Sequence, residues 1–223
     1  MNIQLHYIEH GIGFPLLLLH GNGEDHTYFI HQIEYFSQFY RVIAIDTRGH
    51  GQSPRGTAPF TISQFADDLL KFMDQLRIGK AHILGFSDGG NIALTFALRH
   101  PERVEKLILN GANLNPAGVK WTVQAPIVLG YRIASLFGEK AKQNTELLGL
   151  MVNEPNFVPE DLNDLFIPAL VVAGNKDMIK DSHTRRIAAS LPHAKLAILP
   201  GNHFVANQNP EAFNRAVYEF LYK

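Results

Sequence analysis

The chain has 223 residues, of which 46% are hydrophobic and 18% charged, and its formal net charge is −1. This length and composition are typical of one globular domain spanning residues 1–223, and the balanced charge favours neither nucleic acid nor an anionic membrane as a partner. The absence of cysteine excludes disulfide bonds, thiolate catalysis and cysteine-ligated metal sites.

The beginning of the chain carries no pattern of a secretion signal, because no basic stretch is followed there by a long apolar run. The longest apolar run, residues 14–19, is far shorter than the ~20 residues that span a bilayer. We therefore expect a soluble, cytoplasmic protein without a membrane partner.

Short apolar runs alternate with segments of helical periodicity along the chain. Runs of apolar and β-branched residues predict strands, and apolar residues three or four positions apart predict helices. Asp181 is a candidate N-cap, and His100-Pro101 should end a helix. In chain order the predicted elements are strand 3–8, strand 15–19, helix 24–39, strand 41–45, helix 61–76, strand 81–85, helix 88–99, strand 104–109, strand 169–173, helix 181–191, strand 194–199 and helix 210–222.

These elements predict an α/β fold with a mostly parallel, doubly wound sheet of about seven strands. Strands without polar alternation are buried on both faces, so helices should cover the sheet on both sides. In such sheets ligands bind at the carboxyl ends of the strands. Candidate functional residues should therefore follow strands directly.

Residues 114–167 interrupt the alternation, because they contain four prolines and helical patterns but no clear strand. An unstructured loop of this length is improbable inside a compact domain. We predict a small helical insertion within the domain, lying as a lid over the strand ends.

The segment Gly85–Gly89 has the sequence Gly-Phe-Ser-Asp-Gly, which is a G-x-S-x-G pattern between a predicted strand and a predicted helix. In this pattern the serine occupies a tight turn, and small residues flank it because larger ones would meet the neighbouring backbone. Ser87 is therefore the candidate nucleophile. The alternative is a glycine-rich turn with an incidental serine.

A nucleophilic serine needs a base within hydrogen-bond reach, and in proteins with this turn the base follows the acid in the chain. Three of the eleven histidines lie late enough. His193 precedes the last strand, at its amino end, and a positive His183 would oppose the dipole of its helix. His203 follows the last strand and is the candidate base, the alternative being a surface-loop histidine.

The acid should also follow a strand, and Asp177 does so in the segment Gly-Asn-Lys-Asp that ends with it. Its rival Asp181 is expected to cap a helix, and Asn110–Asn113 offers no carboxylate. The alternative for Asp177 is a loop aspartate that bonds only to backbone. The glycine-rich segment His20–Gly23 follows another strand, and we predict an oxyanion hole from the backbone N–H groups of Asn22 and Asp88.

Together these motifs and the segment Asp46–Ser53 resemble the α/β-hydrolase superfamily over nearly the whole chain. Ser87-Asp88-Gly89-Gly90 and Asn110–Asn113 resemble most the biphenyl-hydrolase-like and valacyclovirase-like esterases, and enol-lactonases are also similar. The resemblance implies a cofactor-free serine esterase that acts on a small ester, with Ser87, Asp177 and His203 as catalytic triad. The chain departs from the family in its short amino terminus, where the first strand should be missing, and in its small lid.

The predicted lid supplies large apolar side chains that could line a substrate pocket or simply pack the lid onto the sheet. These residues are Trp121, Leu129, Tyr131, Phe137, Met151 and Phe157. The side chain of Asp88 has two equally weighted roles, which are pairing with a cationic substrate group and complementing the amino end of the following helix.

The same triad would also fit carbon–carbon hydrolase, lyase or perhydrolase chemistry. A binding protein with little turnover is an alternative of another class. No His-x-x-x-His pattern lies on a predicted helix and no carboxylate cluster has metal-ligand spacing, so no metal is expected. The oligomeric state and the identity of the substrate stay open.

Overall fold

The computed structural model describes residues 3–222 as one seven-stranded sheet with helices on both faces. The predicted doubly wound, mostly parallel sheet is confirmed. Its strands are β1 Tyr7–His10, β2 Pro15–Leu19, β3 Arg41–Ile45, β4 Ala81–Phe86, β5 Val104–Asn110, β6 Ala169–Gly174 and β7 Ala194–Leu199.

The strand order is β1-β3-β2-β4-β5-β6-β7, with β1 antiparallel to β3 and all other neighbours parallel. The central strand β4 is buried along its whole length, as its apolar sequence predicts. Its last residue, Phe86, pairs with Asn110 of β5, so both strands end at the same edge. The loops that follow the parallel strands therefore share one rim of the sheet.

Helices cover the two faces and bury two separate apolar clusters. The helices are α1 Ile30–Phe36, α2 Ile62–Gln75, α3 Asp88–Arg99, α4 Trp121–Ser135, α5 Lys142–Asn153, α6 Asp181–Ser190, α7 Val205–Gln208 and α8 Pro210–Tyr222. Residues of α2, α3 and α6 pack on one face, and residues of α1, α7 and α8 pack on the other. Within residues 3–222, no helix has the length and apolar character needed to cross a membrane.

Three local predictions were wrong. The first strand covers Tyr7–His10 rather than 3–8, because Ile3 and Leu5 are buried in the core without pairing to a strand. The helix predicted at 24–39 is a 3-10 turn followed by α1, and the Asp25 side chain caps that turn. Asp181 is the first residue of α6 rather than its N-cap, and its carboxylate pairs with Arg185.

The outer strand β7 departs from the prediction that strands are buried on both faces. Leu196 and Ile198 are exposed by 37% and 36%. They lie on an edge strand that has only β6 as a neighbour, so neighbouring strand residues flank their side chains on one side only. The apolar run predicted the strand but not its place in the sheet.

The segment 114–167 contains α4, α5 and three 3-10 turns between β5 and β6. It is bonded to the rest of the protein at several points rather than detached. Leu150 of α5 and Leu162 are buried in the core cluster that contains α2 and α3, and Glu154 accepts a hydrogen bond from the N–H of Ile62 at the start of α2. Its action as a lid stays a prediction.

Candidate active site

Ser87 occupies the turn between β4 and α3 in a strained backbone conformation, with φ 53° and ψ −119°. Its N–H donates to the carbonyl oxygen of Asn110 over 2.8 Å, which ties the turn to β5. A Cβ at Gly85 would collide with the carbonyl oxygen of Gly89, and one at Gly89 would collide with that of Leu19. The small residues of the motif are therefore required by close backbone packing.

The structure brings the three predicted side chains of Ser87, His203 and Asp177 together. The Nε2 atom of His203 lies 3.0 Å from the Oγ atom of Ser87. Its Nδ1 atom lies 2.7 Å from Oδ1 of Asp177. Because an ionised carboxylate only accepts, Nδ1 carries the proton and Nε2 is free to accept from the serine hydroxyl. His203 and Asp177 are both buried.

The carboxylate of Asp177 is held by its own loop after β6. Oδ1 also accepts the N–H of Ile179 over 2.8 Å. The carbonyl oxygen of Asp177 accepts the ammonium of Lys120 over 2.5 Å. Oδ2 is buried and has no protein partner among residues 3–222. Backbone and lysine contacts thus fix the direction in which Oδ1 meets the imidazole.

Gly111 is a site residue that the sequence analysis did not single out. Its φ of 65° is a conformation that favours glycine. A Cβ at this position would lie 2.7 Å from Cε1 of His203 and 3.7 Å from Oδ2 of Asp177. The Asn-Gly pair after a predicted strand was the available signal, because such pairs mark turns with positive φ.

The predicted oxyanion-hole residues lie on two loops of the same rim. Asp88 is the first residue of α3, where N–H groups have no acceptor within the helix. Asn22 follows β2. Within residues 3–222, no protein acceptor takes a hydrogen bond from the N–H of Asn22. Both N–H groups are thus available to a ligand, and their role as oxyanion donors stays a prediction.

The side chain of Asp88 is buried beside the nucleophile and belongs to a polar network. Oδ1 accepts from Nδ2 of Asn91 over 3.2 Å, and that same amide group donates to Oδ1 of Asn113 over 3.1 Å. Oδ2 has no protein partner in the described part of the chain. Burial raises the pKa of Asp88 to about 6, and the negative charge of Glu154 acts in the same direction.

Glu24 is a second acidic group of the site that the sequence did not reveal. Its Oε2 atom accepts the N–H of Gly21 over 3.1 Å, and its own N–H donates to the carbonyl oxygen of Gly21 over 3.3 Å. This reciprocal pair closes the loop that carries Asn22. Burial raises the pKa of Glu24 to about 7, while the Gly21 hydrogen bond and the nearby imidazole of His203 oppose the rise.

The first residues of the predicted lid are bonded to the loop that carries the acid. Val119 and Ile179 form an isolated antiparallel bridge. Lys120 donates its N–H to the carbonyl oxygen of Met178 over 2.9 Å, and Lys180 donates to that of Gly118 over 2.8 Å. A displacement of this end of the lid would therefore be transmitted to Asp177.

The six predicted pocket residues occupy different environments. Trp121, Leu129 and Phe137 are exposed by 76%, 60% and 61%. Phe137 lines an apolar cavity of about 440 Å³ between α4 and α5. Phe157 packs against the core. The remaining two, Tyr131 and Met151, are partly buried on the helical segment, and a shared role in binding substrate stays a prediction.

The sequence matches the family model described as the alpha/beta hydrolase fold over residues 15–132. It is 33% identical to RutD of Caulobacter sp. (strain K31), a protein designated as a carbamate hydrolase, over 92% of this chain and 90% of that relative.

Two solved structures are also similar to this one. The enol-lactonase from Burkholderia xenovorans LB400 has a TM-score of 0.85 at 23% identity and covers 99% of this chain and 97% of its own. The meta-cleavage product hydrolase CumD from Pseudomonas fluorescens IP01 has a TM-score of 0.82 at 27% identity, with coverage of 98% and 94%. Because the enol-lactonase is only 23% identical to this chain, the similarity between them shows a shared fold and nothing about function.

Proposed function

We propose that this chain, which belongs to the alpha/beta hydrolase fold family, cleaves carboxylic esters or ester-like acyl compounds through an acyl-enzyme on Ser87. The proposal rests on the chain of hydrogen bonds from Ser87 through His203 to Asp177, over 3.0 Å and 2.7 Å. A serine, an imidazole and a buried carboxylate in this order are the groups that convert a hydroxyl into a nucleophile.

In the first half-reaction, Oγ of Ser87 attacks the substrate carbonyl carbon and Nε2 of His203 takes the hydroxyl proton. Asp177 holds the Nδ1–H tautomer and stabilises the imidazolium that forms. The negative oxygen of the tetrahedral intermediate is bound by the N–H groups of Asn22 and Asp88. The intermediate collapses when His203 gives the proton to the leaving alcohol, which departs and leaves the acyl group on Ser87.

In the second half-reaction, a water molecule replaces the alcohol. His203 takes one proton from the water as the oxygen attacks the acyl carbon, and the second tetrahedral intermediate uses the same two N–H donors. Collapse returns the proton to Oγ of Ser87 and releases the carboxylic acid. The two steps consume one water per ester and need no cofactor.

The substrate class is an acyl compound with a leaving group that His203 can protonate. The relative designated as a carbamate hydrolase supports hydrolysis at a carbonyl that bears a heteroatom. Esters, lactones, thioesters and carbamates all have such a carbonyl, and the triad serves each of them equally. The groups around Ser87 therefore determine which of these substrates is preferred. Among the charged groups, Asp88 is the closest to Ser87 in the sequence.

The test is hydrolysis of a panel of esters of graded chain length, with lactones, thioesters and carbamates, by the wild-type protein and by Ser87→Ala. We expect turnover of at least one acyl class and a loss of at least ~10⁴-fold in the variant, since triad members act as a unit. Equal rates in the two proteins would refute the acyl-enzyme.

A second candidate is hydrolysis of a carbon–carbon bond, which the 27% identical meta-cleavage product hydrolase supports. The same panel, extended with a vinylogous diketone acid, separates the two functions. Cleavage of the diketone with no turnover of any ester, lactone, thioester or carbamate would favour the second candidate.

A further inference from the structure

Two imidazoles and one carboxylate meet outside the catalytic group, at the end of β3. Nδ1 of His6 lies 2.8 Å from Oδ2 of Asp46, and Nδ1 of His26 lies 2.8 Å from Oδ1 of the same carboxylate. The nitrogen and oxygen atoms that could bind an ion all lie within 4.8 Å of one another. The two ring centroids lie 5.3 Å apart, and the ring planes are tilted by 53°.

The backbone fixes the carboxylate of Asp46 in this place. Its side chain is fully buried, and it accepts the N–H of His26 over 2.8 Å and the N–H of Gln52 over 2.9 Å. Its own N–H donates to the carbonyl oxygen of His6 over 3.0 Å. Such outer hydrogen bonds orient a ligand carboxylate before any ion arrives.

We propose that His6, His26 and Asp46 form a binding site for a divalent transition-metal ion of the Zn²⁺ type. Imidazole nitrogen and carboxylate oxygen are common zinc ligands, and three such protein ligands leave a position for water. The His6 and His26 side chains are exposed by 29% and 15%. An ion and its water therefore have access from solvent, although the carboxylate itself is buried.

The geometry needs only a small adjustment to hold the ion. Zinc–ligand bonds of 2.0–2.2 Å in a tetrahedral site set the ligand atoms about 3.4 Å apart. The two nitrogen–oxygen distances are 2.8 Å, so each of these pairs must open by about 0.6 Å. Each Nδ1 now donates a proton toward the carboxylate, and the ion would take the place of both protons, which are released to solvent.

The site joins three segments that are far apart in the sequence. His6 precedes the edge strand β1, His26 lies in the 3-10 turn after β2, and Asp46 directly follows β3. None of the three belongs to the group formed by Ser87, His203 and Asp177. The ion would therefore cross-link the edge of the sheet and stabilise the fold, and this inference stands independently of the proposed acyl-transfer function.

The test is isothermal titration of EDTA-treated, dialysed wild-type protein with ZnCl₂ at pH 7.5, together with Co²⁺ absorption spectra. We expect one ion bound per chain, a visible Co²⁺ spectrum and a melting temperature several degrees higher with Zn²⁺. His6→Gln and His26→Gln should each weaken binding by at least about tenfold, because each removes one of three ligands.

Two controls separate this site from other histidines. His31→Gln removes an exposed imidazole on α1, and His203→Gln removes the imidazole of the catalytic group; neither should change the affinity of the site. Both His6 and His26 are partly exposed, so their glutamine variants are expected to fold even if Asp46→Asn does not. Absence of Zn²⁺ binding to the wild type, or equal affinity in His26→Gln, would overturn the proposal and leave a purely hydrogen-bonded cluster.

Discussion

The amide nitrogen Nδ2 of Asn22 donates a hydrogen bond to the carbonyl oxygen of Leu147 over 2.7 Å. Asn22 belongs to the loop after β2, and Leu147 lies in α5 of the predicted lid. Next to Leu147, the carboxylate of Glu146 forms a two-point ion pair with Arg55. The loop with the predicted oxyanion donor is therefore tied directly to the helical segment above the sheet.

Asn22→Ala should lower kcat/KM by about 3- to 10-fold, which corresponds to the net free energy of one hydrogen bond. The variant keeps the backbone N–H of residue 22 but loses the bond to Leu147, so the loop and α5 can move apart. The measurement is steady-state hydrolysis of the best ester. Gln124→Ala is the matched control, because it removes an amide bond to the Met151 carbonyl within the helical segment. An equal loss in both variants would contradict a specific role for the Asn22 contact.

Gly111→Ala should abolish most of the activity, by at least ~100-fold, because a Cβ 2.7 Å from Cε1 of His203 displaces the imidazole. The control is Gly138→Ala, where φ is also positive at 55° but a Cβ would meet nothing within 4 Å. Both variants should lose about 1–2 kcal/mol of unfolding free energy for the backbone conformation. Activity assays and urea unfolding separate the two effects, and full activity of Gly111→Ala would refute the steric argument.

The sequence predicted best those elements whose residues carry a local signal. The bounds of α3 and β7 were predicted to the residue, because a proline and a strained serine turn limit α3 and a proline lies near each end of β7. The helix predicted at 24–39 was wrong, since Asp25 bonds to the N–H of Thr27 and closes a 3-10 turn instead. Side-chain competition of this kind depends on the local fold and is not visible in hydrophobic periodicity.

The candidate site was predictable where strand order brings motifs together. Ser87, Asp177 and His203 each follow a parallel strand. Because the carboxyl ends of parallel strands lie at the same rim of the sheet, the sequence predicted that the three residues share this rim. Glu24 and the cluster of His6, His26 and Asp46 were not predicted. Their contacts depend on the antiparallel pairing of β1 with β3 and on loop conformations. His6, His26 and Asp46 are spaced 20 residues apart, and this spacing does not indicate in the sequence that the three side chains meet.

The stability of the fold should fall as the pH falls from about 6.5 to about 4, in part because of His82. Burial lowers the pKa of this imidazole to about 4, and the charge of Lys106 lowers it further. Above pH 6.5 the imidazole is neutral in both states. Below it the unfolded chain binds a proton that the folded chain does not, so His82 contributes a loss of at most about 1.4 kcal/mol per pH unit.

Urea unfolding of the wild type and of His82→Leu at pH 7, 6 and 5 measures this contribution. The variant should show a shallower decrease in unfolding free energy, because leucine does not titrate. The pKa of the buried His20 is also lowered to about 4, but His20 is present in both proteins and cancels in the comparison. Parallel pH dependences in the two proteins would contradict the assignment to His82.

Asp88→Asn should reduce the preference for amino esters over neutral esters of the same size, if the buried carboxylate pairs with a cationic substrate. The expected loss is about tenfold or more, since hydrogen bonds to charged groups contribute about 1.5–3 kcal/mol. Because burial raises the pKa of Asp88 to about 6, the wild-type preference should be present above that pH and disappear as the pH falls through it. An unchanged preference in the variant would show that the carboxylate does not pair with substrate and only complements the positive amino end of α3.

The most direct test of the central claim is covalent labelling of the nucleophile. Treatment with a fluorophosphonate, followed by intact-mass and peptide analysis, should give one adduct per chain, located on Oγ of Ser87. The adduct should be absent from Ser87→Ala and should form much more slowly in His203→Gln, which lacks the base that lies 3.0 Å from that oxygen. Labelling of a different residue, or undiminished labelling of Ser87→Ala, would contradict the account.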